Sequence, residues 1–185
     1  MAKKELSDLQ VLMGRMGEAY FFKGGLPEEL GIEYDVETEA DFAMPISTDG
    51  VTFEPGSPDV TEEKITEGRT WYTFAEKGDD NISMQVPSLA QELNELFLLK
   101  KGDAVQVKGY DGQGYSMSPN KFKGGWVFFD KEKTVMVALP QTDNYANFVG
   151  GSGDGMGYYN VAITTLSNSV GADILIFHKN ESQGE

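Results

Sequence analysis

The chain has 185 residues, of which 39% are hydrophobic, enough for one domain with a substantial core. It carries 15 basic and 30 acidic residues, a formal net charge of −15, with one histidine and no cysteine. Those counts exclude a disulfide framework, thiolate metal ligation and a cysteine nucleophile. They confine any histidine-based triad to His178, and they leave duplex nucleic-acid binding without its main source, Lys and Arg on phosphates.

The first residues hold two lysines but no apolar run behind them, so no secretory signal is expected. The longest apolar runs, at 96–99 and 135–139, are far short of the ~20 residues that span a bilayer. The expectation is a soluble protein made in the cytoplasm, with no membrane partner. Glycine is 22 of 185 residues, well above the usual ~7%, and there are 11 Phe and 8 Tyr. Gly-rich, aromatic-rich chains with few long helical patterns are mostly β.

In chain order, Ser7 and Gln10 form a capping box with Leu6 and Val11 as a staple, but Gly14 and Gly17 cut the pattern short. A short helix or irregular arm is expected there, then a strand at 18–22. Residues 23–42, with Gly24, Gly25, Pro27 and Gly31 among many acids, read as loop. Residues 1–43 are therefore assigned to an N-terminal arm. Alternation through Ile46, Thr48, Val51 and Phe53 around Asp49-Gly50 predicts a hairpin. Residues 54–80 read as a long excursion with strands at 60–66 and 69–74, and long loops of this kind are usually functional.

Ile82, Met84 and Val86 alternate as a strand that Pro87 ends. Ser88 and Gln91 then make a capping box, and Leu89, Leu93, Leu96 and Phe97 share one face, predicting a helix over 88–100. A strand follows at 104–109, then a turn at 111–114. Segments 125–130 and 133–139 read as one hairpin, and 158–166 with 172–178 as another. The tail 179–185 is polar. Residues 126–129 and 174–177 are apolar on both faces, so something must cover both sides: the helix, a second sheet or another subunit. The fold class is mainly β (α+β): a β-sandwich or barrel of about eight strands at 44–178, with one flanking helix, an extended arm and an extended loop.

No site of chemistry emerges. The Gly-rich run 150–157 has no Lys-Ser/Thr after it, misses the Gly-x-Ser-x-Gly spacing, and leads into a strand, so it reads as a hairpin loop. Asp79, Asp80 and Asn81 lack the spacing of a calcium loop. His178 ends a strand without a nameable partner. Tyr110, Tyr115, Tyr158 and Tyr159 lie beside glycines and suggest core packing, or a sugar-stacking platform. Neither a catalytic residue nor a cofactor or metal is expected. The arm, the long excursion and the two-sided apolar strands instead suggest a protomer that needs neighbours. Trp71, Tyr72 and Phe74 in the excursion are the expected subunit contacts, unless they cover their own core.

The stretch Ile46-Ser47-Thr48-Asp49-Gly50-Val51-Thr52-Phe53, then Glu76-Lys77-Gly78-Asp79 and Ile82-Ser83-Met84-Gln85-Val86-Pro87, resembles the major tail (tail tube) proteins of tailed bacteriophages and prophages. The order of elements, an extended loop between early strands, one central helix and then hairpins, is similar too. The resemblance runs over about 44–178 and leaves the N-terminal forty residues outside. It implies a structural subunit, not an enzyme. Six copies would form a ring, and rings would stack into a tube that conducts DNA without base recognition, joined by the arm and long loop. Partners would be further copies and other tail proteins, in the virion and in the host cytoplasm during assembly. An acidic channel wall would suit that task, by repelling phosphates. The alternative is a monomeric β-sandwich binding module for a ligand such as carbohydrate.

Overall fold

The computed structural model describes residues 16–31, 33–47, 50–54, 56–57, 59–64, 70–76, 81–151 and 157–179, with the side chains of 59, 63–64 and 70–76 excepted. The helical pattern around Ser7 lies outside them. Eight strands join in one antiparallel sheet: β1 (Met16–Phe22), β2 (Phe42–Met44), β3 (Val51–Glu54), β6 (Asn81–Val86), β9 (Asn120–Asp130), β10 (Val135–Val149), β11 (Tyr158–Thr165) and β12 (Leu175–His178). Their order is β2-β1-β9-β10-β11-β6-β3, with β12 also on β10. Two hairpins stand apart from this sheet, β4 (Asp59–Lys64) with β5 (Thr70–Glu76), and β7 (Lys100–Val107) with β8 (Tyr110–Tyr115). The helices among the described residues are α1 (Val36–Glu39) and α2 (Gln91–Phe97). The mainly-β expectation holds, with a second short helix beside the expected one.

The long strand β10 organises the fold. Along one edge it follows β9, from Met136 opposite Phe129 to Ala146 opposite Asn120. Its other edge serves two partners end to end, β12 over Val135–Ala138 and β11 over Thr142–Val149. Between these halves the β9–β10 register shifts, from Leu139 to Thr142. Pro140 sits in that irregularity, where a residue lacking an N–H is tolerated within a sheet. Its carbonyl accepts from the Leu26 N–H at 3.0 Å, and the Thr142 hydroxyl donates to the Gly124 carbonyl at 2.8 Å.

The sheet folds over on itself. Phe53 of β3 meets Phe128 of β9 edge-to-face at 5.5 Å between ring centres. Four strand spacings separate those strands in the order, ~19 Å on a flat sheet. The contact therefore requires curling, giving a sandwich-like body with an enclosed core. That core holds Phe21, Met84, Val86, Phe97, Trp126, Phe128, Leu139, Tyr159, Val161 and Ile163. A second cluster lies on the other side of β1, β9 and β10: Tyr20, Phe22, Val127 and Ala138, covered by Leu26 and by Val36 of α1. Trp126 and Phe128 face one cluster and Val127 the other, so the two-sided apolar run at 126–129 is covered within the chain.

Several local expectations give way to this long-range pairing. The arm assigned to 1–43 is, from Met16 onward, part of the body: β1 lies between β2 and β9, and Val36 is buried. The hairpin expected around Asp49-Gly50 does not form. Gly50 turns the chain at φ +76°, donating to the Ser47 carbonyl at 2.8 Å, but β2 pairs with β1 and β3 with β6, at opposite ends of the sheet order. The Ser47 N–H donates to the Gln85 carbonyl, which commits the chain to the β6 side. Likewise β11 and β12 are not a hairpin, because β10 is long enough to take both. The turn placed at 111–114 lies inside β8, and the chain turns at Lys108 and Gly109, where φ is +83°. Gly114 serves close strand approach instead, since a Cβ there would run into the Lys101 carbonyl.

Helix α2 is shorter than its pattern. Ser88 accepts from the Ala90 N–H at 3.3 Å but does not cap; Ala90 is the N-cap, without a side-chain bond. Leu98 is extended, and Lys100 already belongs to β7. Leu93 and Phe97 are buried, whereas Leu89 is exposed. The Tyr159 hydroxyl donates to Asn94 Oδ1 at 2.5 Å and fixes α2 to β11.

Candidate assembly interface

Most of the buried polar groups are committed to structure. Trp126 Nε1 donates to Asn144 Oδ1 at 2.8 Å, and Asn144 Nδ2 donates to the Phe122 carbonyl. Both side chains are fully buried, so Trp126 cannot meet a ligand. Asp130 closes the β9–β10 turn, accepting from the Thr134 N–H at 2.6 Å, the Thr134 hydroxyl at 2.8 Å and the Val135 N–H at 2.8 Å. Burial works against its ionisation, but these donors outweigh it and hold the carboxyl below its ordinary range. Lys133, in the same turn at φ 52°, reaches Glu18 at 3.0 Å and Glu37 at 2.6 Å, tying β1 and α1 to it. Burial, then the Glu18 carboxylate, pushes the Tyr20 hydroxyl up to about 12.

No group of three or more His, Asp or Glu side chains suited to a metal occurs among the described residues. His178 is exposed at the end of β12, opposite Val135. The Gly-rich run connects β10 to β11, with Val149 opposite Tyr158, as a hairpin loop does; its residues 152–156, like Asp79 and Asp80, lie outside the described residues. The four tyrosines do not form one platform, because Tyr159 is in the core while Tyr110 is 78% exposed on β7–β8.

Surfaces are more informative. The half of the sheet from β9 to β3 buries one face and presents the other. That outer face carries Lys121 and Lys123, then Asp143, Tyr145 and Asn147, then Asn160, Ala162 and Thr164. It continues through Asn81, Ser83 and Gln85 to Thr52 and Glu54. Its two lysines and two carboxylates cancel, although the chain as a whole is at −15. Lys121 pairs with Asp143 at 2.7 Å, and Asn81 donates to Glu54 at 3.0 Å. The central strands β11 and β6 add no charge.

Elsewhere the charge is segregated. Between residues 28 and 41 stand seven carboxylates and no base. The hairpin β7–β8 carries Lys100, Lys101 and Lys108 against Asp103 and Asp111, a net +1. Every residue of β7 is exposed, including Val105 at 59% and Val107 at 65%. On the edge strand β12, and just before it, Ile174, Ile176 and Phe177 are exposed, while Leu175 packs on the second cluster, so the two-sided apolar run at 174–177 is covered only in part within the chain. Trp71, Tyr72 and Phe74 lie on β5, with Tyr72 opposite Glu63 and Phe74 opposite Thr61 in register; their side chains fall outside the described residues.

A cleft of about 570 Å³ separates α2 from β7–β8, lined by Gln91, Asn94, Asp111, Gln113 and Tyr115 among others. Much of its polarity is already used: Asn94 holds Tyr159 and the Leu89 carbonyl, Asp111 accepts from Gln106, and Gln113 donates to the Gly102 carbonyl. No helix among the described residues is long and apolar enough to cross a membrane. No protein-family model and no curated protein matches the chain.

Proposed function

We propose that this chain is a structural, non-enzymatic subunit of a phage or prophage tail tube. It self-assembles into stacked rings around a channel through which DNA passes without base recognition. The observation that carries the reading is the division of the surface. A broad polar sheet face with balanced charge stands on a body whose hairpin β7–β8 and edge strand β12 leave apolar side chains in water. A wall for passing DNA must not hold it. Affinity for the DNA backbone comes from uncompensated Lys and Arg, and that face has none in net. The acidic wall expected from the resemblance is not needed; a charge-balanced one of amides and hydroxyls serves. Exposed Val, Ile, Phe and Tyr on projecting elements are what a subunit buries on its neighbours.

The test is negative-stain electron microscopy of the purified protein over a range of concentrations, with light-scattering mass alongside. Rings or tubes with a central hole are expected. A monodisperse monomer at every concentration would overturn the reading. It would favour the second one, a carbohydrate-binding module using the cleft between α2 and β7–β8, where Tyr115 stands beside Gln91 and Asp111. Titration with glycans, comparing wild type with Tyr115→Ala, checks that alternative.

A further inference from the structure

The outer sheet face is neutral only in sum. Both of its bases, Lys121 and Lys123, stand on β9 at one margin, and one of its two carboxylates, Glu54, stands on β3 at the other. Four strand spacings separate those margins, ~19 Å measured along the face, against a Debye length of ~8–10 Å in ordinary salt. Glu54 is also engaged by Asn81 at 3.0 Å. Neutrality at the basic margin therefore depends on the other carboxylate, Asp143.

Asp143 is placed for that task. On β10 it lies directly opposite Lys123, and its Oδ2 stands 2.7 Å from Lys121 Nζ. Directly opposite side chains are ~4.5–5.5 Å apart at Cβ, so one carboxylate serves both bases. Its side chain is only 15% exposed, and Oδ1 is buried with no hydrogen-bond partner among the described residues, so no other donor there draws on its charge. Partial burial also shields the pair from the salt that screens surface charges. Lys121 is held on the face a second way, its ammonium 5.6 Å from the centre of the Tyr145 ring. Without the carboxylate it would still be presented there, beside an aromatic side chain that is itself exposed.

We infer that Asp143 is the residue that stops this wall from retaining DNA, by masking Lys121 and Lys123, the two bases of the face. Unmasked in every copy of a tube, those lysines would give the additive, salt-dependent grip on phosphates that duplex-binding proteins use. The inference rests on the tube reading and names the side chain on which a non-retaining wall depends.

The test follows binding of a short fluorescein-labelled DNA duplex by anisotropy in low salt. Wild type should show little or no binding. Asp143→Asn should bind at least ~tenfold more tightly, with a log–log salt dependence steeper by ~1.8, the value for two phosphates engaged. Glu28→Gln makes the same change of net charge at an exposed position off this face, and should leave binding at the wild-type level. Adding Lys121→Gln and Lys123→Gln to Asp143→Asn should abolish the gain. Asp143→Thr, whose side chain suits a strand, provides the same reading should the Asn variant fold poorly. If the Asp143 variants bind no better than Glu28→Gln, the masking role is wrong; rings or tubes in electron micrographs alongside that result would leave the tube reading standing. Wild type that holds DNA as tightly as Asp143→Asn would overturn both.

Discussion

Replacing Gly124 by alanine tests the account of how β9 and β1 pack. Gly124 lies on β9 opposite Thr142, beside the register shift of β10. A Cβ there would strike the ring of Phe21 and come within 2.5 Å of the Phe22 carbonyl oxygen. Neither neighbour can yield. Phe21 is fully buried, with the Phe122 ring at 5.5 Å and the Trp126 ring at 4.6 Å, and the carbonyl is held in the β1–β9 ladder. Overpacking of a tight core costs ~1–3 kcal/mol, and the entropy lost by the unfolded chain on Gly→Ala returns ~0.4–1. The expected net loss is about 1.3 kcal/mol, or ~3–5 °C in Tm at the ~2–4 °C per kcal/mol usual for a domain of this size. Gly31 is the matched control: nothing lies within 4 Å of its Cβ position, so Gly31→Ala should be neutral or slightly stabilising. Thermal and urea melts by circular dichroism, at a concentration where the protein is monomeric, give both values. If Gly124→Ala melts with Gly31→Ala, the close approach of β1 and β9 is wrong.

Asn144→Ala strands the buried Trp126 N–H, and should cost ~1–3 kcal/mol in a urea melt. Phe97→Ala removes the main anchor of α2 and should cost ~3–5 kcal/mol, while Tyr159→Phe, which loses only the bond to Asn94, should cost ~1. The Asp130 carboxyl is held low when folded, so its contribution is present above the ordinary Asp value of ~3.9 and is lost as pH falls through the folded value. Melts of wild type and Asp130→Asn should therefore differ by a constant amount from neutral pH down to about pH 4, then converge; a gap that widens in acid would contradict this. Trp71→Ala is expected to give a folded monomer that no longer forms rings, and normal assembly in electron micrographs would remove that residue from the interface.

The sequence by itself determined what neighbouring residues decide. Alternation through Ile82, Met84 and Val86 identifies a strand and its buried face, and the continuous apolar run at 126–129 a strand buried on both faces, because a strand's side chains alternate whatever it pairs with. The apolar excess at 174–177 is likewise visible as a strand needing cover, although the structure was required to show that the chain covers only part of it. Absent cysteine and a lone histidine, read directly from composition, removed whole classes of chemistry. Pairing partners were not legible. Asp49-Gly50 is a sound hairpin signal, yet β2 and β3 end at opposite edges, because partner choice rests on contacts distant in sequence. The helix signal at 88–100 overran for a related reason: after Leu98 the chain is extended, the Ser116 N–H donates to the Leu99 carbonyl, and Lys100 already pairs with Tyr115 of β8. Tertiary structure alone decided that Pro140 falls in the register irregularity of β10, that both β11 and β12 share its free edge, and that the acidic segment, silent as a loop in the sequence, lies on the same side as an open apolar strand. Local chemistry specifies elements, whereas the surfaces available for assembly arise only when distant elements are brought together.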